Sequence, residues 1–259
     1  MCLILIANDV HRRYRLVVAA NRDEFYERPT ARADWWQDAP GVLAGRDLQS
    51  GGTWIGVTRS GRFAAITNFR DPGAMRDDAP SRGHLVVDAL TGTDHPLICL
   101  QETLRTGEAY DGFSLLAGDR DGLWVHSNRS AEPPRQVGRG VFGLSNHLFD
   151  TPWPKIVTGR RALSDALVLE GDELVAALLE ILDRRESAAD DELPDTGVGV
   201  SLERVLSPIF ISSPMYGTRA SYVVLFDRDG EVTFVEQTFD RGEPVDEPLR
   251  FAFQVQFTA

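Results

Sequence analysis

Two apolar runs open the chain, LILIA at 3–7 and RLVVAA at 15–20, with a polar turn around Asn8-Asp9 between them. Neither run alternates. Strands that are apolar at nearly every position are covered on both faces. The same grammar recurs downstream. GTWIGVT and RFAAITN form a hairpin through Arg59-Ser60-Gly61, FSLLAGD pairs with GLWVHSN, and GVFGLSN follows closely. Near the C-terminus come ASYVVLFD and EVTFVEQTF, joined through Arg228-Asp229-Gly230, and then RFAFQVQF.

Between these groups the period changes. Over 172–183, Leu174, Val175, Leu178, Leu179 and Leu182 make one helical stripe, with Asp172 as the expected N-cap. Over 153–167, Trp153, Ile156, Val157, Leu163 and Leu167 share a side, and Pro154 sits in the first turn, where its missing N–H costs little. Shorter helices are expected at 82–91 and 95–105. The polar stretch 186–200 reads as a surface loop.

Hairpins covered on both faces, with amphipathic helices in separate blocks, predict an α+β chain. The expected arrangement is a four-layer αββα sandwich of two antiparallel sheets flanked by helices, in one domain over 1–259. A three-layer α/β fold is the alternative, disfavoured by the short hairpin connections.

Charge and composition narrow the function. There are 27 Lys+Arg against 39 Asp+Glu, a net charge of −12. That lacks the basic footprint of a nucleic-acid binder, and an anionic membrane surface would repel it. No window supplies the roughly 18 apolar residues of a membrane helix. Two cysteines, Cys2 and Cys99, make no disulfide framework. With no signal-peptide pattern at the start, a cytoplasmic location is expected. The five histidines show no metal-ligand spacing, so no metal is expected. There is no Walker loop, no G-x-G-x-x-G after a strand and no G-x-S-x-G elbow. The glycines of GGTWIG lead into a hairpin and not a helix, which argues against a phosphate cradle.

The candidate chemistry begins at Cys2. Methionine excision generally removes Met1 when the second residue is small. The mature chain would then start with Cys2 and a free α-amine of pKa about 8. Such an amine can take the proton of its own thiol, so nucleophile and base reside in one residue. The alternative is a small, buried strand residue. Asn21-Arg22-Asp23-Glu24 stand at the end of the second strand, which the first hairpin returns beside Cys2. They are either a solvated strand end or a set that holds the ammonium and thiol. Asn68, Asn128 and Asn146 each end a strand, as turn residues or as amide donors to an oxyanion. Arg219, in YGTRASYVV, opens an apolar strand and either pairs at the surface or holds a carboxylate.

Together MCLILIA, LVVAANRDEFYERPT, LAGRDLQSGGTWIGVTRSGRFAAITNFRDP, SRGHLV, GVFGLSNHLFDTPWPK and YGTRASYVVL resemble the NRDE family, also called the transport and Golgi organisation protein 2 family. The likeness runs from residue 1 to about 225. It implies the N-terminal-nucleophile hydrolase (Ntn-hydrolase) fold, with a more distant likeness to penicillin V acylase and bile salt hydrolase. Carried over, Cys2 is the nucleophile, Asp23 and Arg219 position it, and Asn68 and Asn146 stabilise the oxyanion. Asn21, Arg22, Glu24 and Arg70 are the implied substrate-binding residues. The chain departs from those acylases at Ala20, where they carry an arginine three residues before the aspartate. Arg22 stands one residue before Asp23 and points to the other side of an extended chain. The implied activity is hydrolysis of a linear amide or thioester, with no cofactor required. The family's other associations imply a non-catalytic carrier of haem or acyl-coenzyme A, with haem as cargo. The partner is a small molecule in either case.

Overall fold

The computed structural model describes residues 2–74, 76 and 78–256. Its strands are β1 (Cys2–Asn8), β2 (Tyr14–Phe25), β3 (Thr30–Trp35), β4 (Val42–Asp47), β5 (Ile55–Thr58), β6 (Phe63–Asn68), β7 (Phe113–Asp119), β8 (Gly122–Ser127), β9 (Arg135–Gln136), β10 (Gly140–Leu144), β11 (Tyr216–Asp227), β12 (Glu231–Asp240), β13 (Glu243–Pro244) and β14 (Leu249–Gln254). Its α-helices are α1 (Gly83–Thr91), α2 (Pro96–Thr106), α3 (Pro154–Ala166), α4 (Gly171–Leu182) and α5 (Val200–Leu206). The class is α+β.

The chain divides into two compact units, each with its own antiparallel sheet. Unit 1 comprises 1–27, 139–145 and 149–252, and its strand order is β10-β1-β2-β11-β12-β13, with β14 also on β12. Unit 2 comprises 28–138, 146–148 and 253–259, and its order is β3 through β9 in sequence.

In unit 1 the helices α3 and α4 cover one face of the sheet. Leu3, Leu5, Ala7, Val17, Ala19, Val223, Leu225 and Val235 pack there against Ile156, Leu163, Leu174, Leu178 and Leu182. The interleaved residues Ile4, Ile6, Val18 and Val224 are fully buried as well. Burial on both parities is what the unbroken apolar runs require.

The structure extends the sequence reading in several places. β2 does not end before Asn21 but runs on to Phe25, and Asn21, Arg22 and Asp23 are buried. β3, β4 and α5 carry no strong period, because β3 is half exposed and α5 is two turns long with three exposed apolar residues. Asp172 lies in the first turn of α4, whose N-cap is Glu170. There its charge still favours the helix N-terminus. Val157 turns away from the core of α3 and is 52% exposed. Phe257 of RFAFQVQF lies outside the described residues. Among the described residues no helix is long and apolar enough to cross a membrane.

The second glycine of GGTWIG, Gly52, has a steric purpose in unit 2. A Cβ on Gly52 would lie 2.7 Å from the backbone carbon of Gly83, and one on Gly83 would lie 3.0 Å from the Thr53 carbonyl oxygen. Two backbones meet here with no room for side chains, at the start of α1. Gly52→Ala is expected to cost about 1–3 kcal/mol by forcing that contact apart. Gly41→Ala, with open space around its Cβ, should stay within about 0.5 kcal/mol. Urea denaturation of both variants checks the contrast.

Candidate active site

The first strand pair positions the candidate residues of unit 1. β1 runs antiparallel to β2 in the register Cys2↔Arg22, Leu3↔Asn21, Ile4↔Ala20. Directly paired residues point to the same face. Leu3 faces the helices, so Asn21 and Asp23 do too. Cys2, Ala20, Arg22 and Glu24 occupy the opposite face.

Cys2 is 8% exposed. Its carbonyl accepts the Ser145 hydroxyl at 3.1 Å, which ties the strand start to the residue after β10. Burial pushes its thiol above the ordinary range, while the Arg22 charge and the backbone amide of Asp23 pull the other way. Cys99 is a second free cysteine.

Asp23 is 2% exposed. Its Oδ1 accepts the Thr218 hydroxyl at 2.7 Å, and its carbonyl accepts the Tyr216 hydroxyl at 2.9 Å. Thr218 in turn accepts the Ile211 amide at 2.9 Å. Burial raises the Asp23 carboxyl above the usual range, opposed in part by the charge of buried Lys155 and by the Thr218 hydrogen bond.

Asn21, implied as substrate-binding, is spent inside the protein. It is fully buried, and its Nδ2 donates to the Leu182 and Ile209 carbonyls at 2.8 and 2.9 Å. Its Oδ1 accepts the Ser221 hydroxyl at 2.6 Å. It fastens β2 to the end of α4, and its helix-facing parity is the physical reason it does not join Cys2.

Arg22 and Arg219 lie at this same end of the sheet. β11 pairs Thr218 with Asp23 and Ala220 with Arg22, so Arg219 is the extra residue of a bulge. Its Nη1 donates to the Phe25 and Tyr26 carbonyls at 3.0 and 2.8 Å. Burial and the neighbouring Arg22 charge lower its pKa. Glu24 lies 3.6 Å from Arg22 and accepts the Phe25 amide. The expectation that Arg22 points away from Asp23 holds. The pairing adds that Cys2 is on the side to which Arg22 points.

Unit 2 holds the remaining candidates. Asn146 is fully buried. Its Nδ2 donates to the Asn68 carbonyl at 3.0 Å, and its carbonyl accepts the Arg70 amide at 2.8 Å. Asn68, Arg70 and Asn146 thus converge at the end of β6. Asn128 is a structural tie: its Oδ1 accepts the Phe113 amide, and its Nδ2 donates to the carbonyls of Gly107, Tyr110 and Asp111. Sequence spacing could not reveal that His95, Asp119 and Asp121 bring donor atoms within 4.8 Å of one another. The Nδ1 of His95 accepts the Leu97 amide at 3.2 Å. That places the neutral ring's proton on Nε2 and leaves no lone pair there for a metal.

Comparison with known proteins follows this geometry. The chain matches the family model described as Transport and Golgi organisation 2 over residues 1–241. It is 37% identical to the Bos taurus protein named Transport and Golgi organization protein 2 homolog, covering 94% of this chain and 95% of that one. Identity to the Homo sapiens homolog is 35%, over 92% and 93%. To the Drosophila melanogaster protein it is 28%, over 94% of each. Among solved structures, the Caenorhabditis elegans ortholog of N-acylethanolamine-hydrolyzing acid amidase superposes with a TM-score of 0.50 at 11% identity, covering 86% of this chain and 92% of that one. The fold is that of the Ntn-hydrolase type.

Two outcomes test this reading of the site. Asn21→Ala leaves two buried carbonyls and one hydroxyl without partners, so it should cost about 2–4 kcal/mol by chemical denaturation. Asp23 sets a pH dependence. Its folded pKa is raised, so its contribution to stability is complete below the unfolded value of about 3.9 and is lost as pH rises through the folded value. Asp23→Asn cannot ionise. Urea midpoints at about pH 4 and about pH 8 should therefore show the wild type losing ground to the variant at the higher pH. Equal differences at both would contradict the assigned burial effect.

Proposed function

The chain belongs to the Transport and Golgi organisation 2 family, and we propose that it is an N-terminal cysteine hydrolase acting on a linear amide or thioester. One observation carries this reading. Cys2 and Asp23, two buried ionisable residues, stand at the open end of the β1–β2 hairpin, where every other early residue of β1 is apolar. In the cycle, excision of Met1 frees the α-amine of Cys2. That amine takes the thiol proton, and Sγ bonds to the carbonyl carbon. The tetrahedral adduct collapses with loss of the amine or thiol, which receives the proton. Water then cleaves the acyl-enzyme thioester. Buried Asp23 would hold the ammonium. For substrate contact within unit 1 we assign Glu24, on the family resemblance alone.

A second reading is supported by one observation. Burial keeps the Cys2 thiol above its ordinary pKa, which suits a pocket residue better than an active nucleophile. The mammalian relatives are named for transport and Golgi organisation. On this reading the chain carries haem or acyl-coenzyme A without cleaving it.

The experiment combines intact mass with turnover on a panel of N-acyl amides and acyl thioesters. The hydrolase reading expects a mature N-terminus at Cys2 and at least about a thousand-fold loss of turnover in Cys2→Ala. Retention of Met1 in protein from the natural host, or an unaffected Cys2→Ala variant, would overturn it. Saturable binding of haemin or long-chain acyl-coenzyme A without turnover would favour the carrier.

A further inference from the structure

Arg22 is an unusual buried cation. It is 7% exposed. Its Nη2 lies 3.6 Å from Glu24, whose side chain is 23% exposed, and its Nη1 is buried with no hydrogen-bond acceptor. A buried guanidinium N–H without a partner is costly, so its retention asks for an acceptor that is present only some of the time. The strand register names one. Arg22 is the residue directly opposite Cys2, and cross-strand partners of this kind have Cβ atoms about 4.5–5.5 Å apart on one face. With the thiol neutral, no hydrogen bond joins the two.

We propose that Arg22 is a positioning residue whose guanidinium serves as counter-ion to the Cys2 thiolate. The proposal rests on the reading of Cys2 as a nucleophile. When the S–H bond breaks, the proton leaves to the base and the electron pair stays on sulfur. The new anion is the acceptor that Nη1 lacks, and a charge-assisted hydrogen bond forms. No electron transfer is involved. Thiolates beside arginine are stabilised in this way in electropositive microenvironments.

The other charged groups on this face define the balance. Glu24 draws on Arg22 from the same strand. Arg219, on the bulge of β11, adds positive charge beside it. Glu236 of β12 is buried but engaged by the Tyr222 hydroxyl at 2.5 Å. Asp23 opposes the thiolate from the other face, and the Ser145 hydroxyl donates to the Cys2 carbonyl. Among these, Arg22 is the cation in direct register with the sulfur.

The test does not need turnover, so it separates this proposal from the hydrolase reading. Full-length protein of known N-terminal mass is alkylated with iodoacetamide across a pH series, and the Cys2 peptide is quantified by mass spectrometry. Arg22→Gln should move the midpoint up by about one pH unit, a roughly ten-fold slower reaction near neutrality. Arg22→Lys should restore most of it. A midpoint unchanged in Arg22→Gln would overturn the proposal and leave Arg22 to a substrate anion. Should Arg22→Gln fail to fold, the wild type still decides through reagent charge. Anionic iodoacetate should gain on neutral iodoacetamide at Cys2 relative to glutathione. An equal ratio for the two thiols would overturn the proposal.

Discussion

The register of β1 on β2 is the constraint on which the chemistry of unit 1 depends. A strand reverses its faces with every residue, so a slip of one would turn every side chain of β1 to the other side. Leu3 and Leu5 would leave the packing against α3 and α4, and that loss holds the register in place. The same register sets Cys2 opposite Arg22. Packing of leucines therefore determines which charge the thiol meets.

The motif Asn21-Arg22-Asp23-Glu24 divides along the same alternation. Asn21 and Asp23 turn to the helix-bearing face, where one is saturated by hydrogen bonds and the other is held by Thr218. Arg22 and Glu24 turn to the face of Cys2. Four consecutive polar residues thus perform two tasks, anchoring and charge placement. The bulge at Arg219 brings a second guanidinium to this end of the sheet by adding one residue against β2. Tyr26 explains the glycine that precedes it: its hydroxyl occupies the space where a Cβ on Gly217 would stand.

Strand existence was legible because apolar runs without alternation have few other homes, and the stripes of α3 and α4 were legible from their period. Elements with weak patterns were not. β3 is half exposed, and α5 is too short for a stripe to accumulate. Among the candidates, Cys2 and Asp23 could be singled out from residue type and motif, since a thiol ahead of an apolar strand and a carboxylate at a buried strand are chemically conspicuous. Asn21 could not be assigned. An amide binds a ligand or two backbone carbonyls equally well, and only the positions of Leu182 and Ile209 decide. Asn128 was decided in the same way, by the backbone groups of Gly107, Tyr110, Asp111 and Phe113 that it ties together.

Residue pattern by itself determined that the chain is α+β, that its hairpins are covered on both faces, and that a cysteine stands at position 2 ahead of an apolar run. Those are consequences of local period and residue chemistry, which the chain carries wherever it folds. Tertiary structure alone decided the meaning of Ala20 and Arg22. In sequence, an arginine on the wrong side of Asp23 looks displaced. In the sheet, that side is the one Cys2 occupies, because pairing between strands brings together residues twenty positions apart that no local pattern relates.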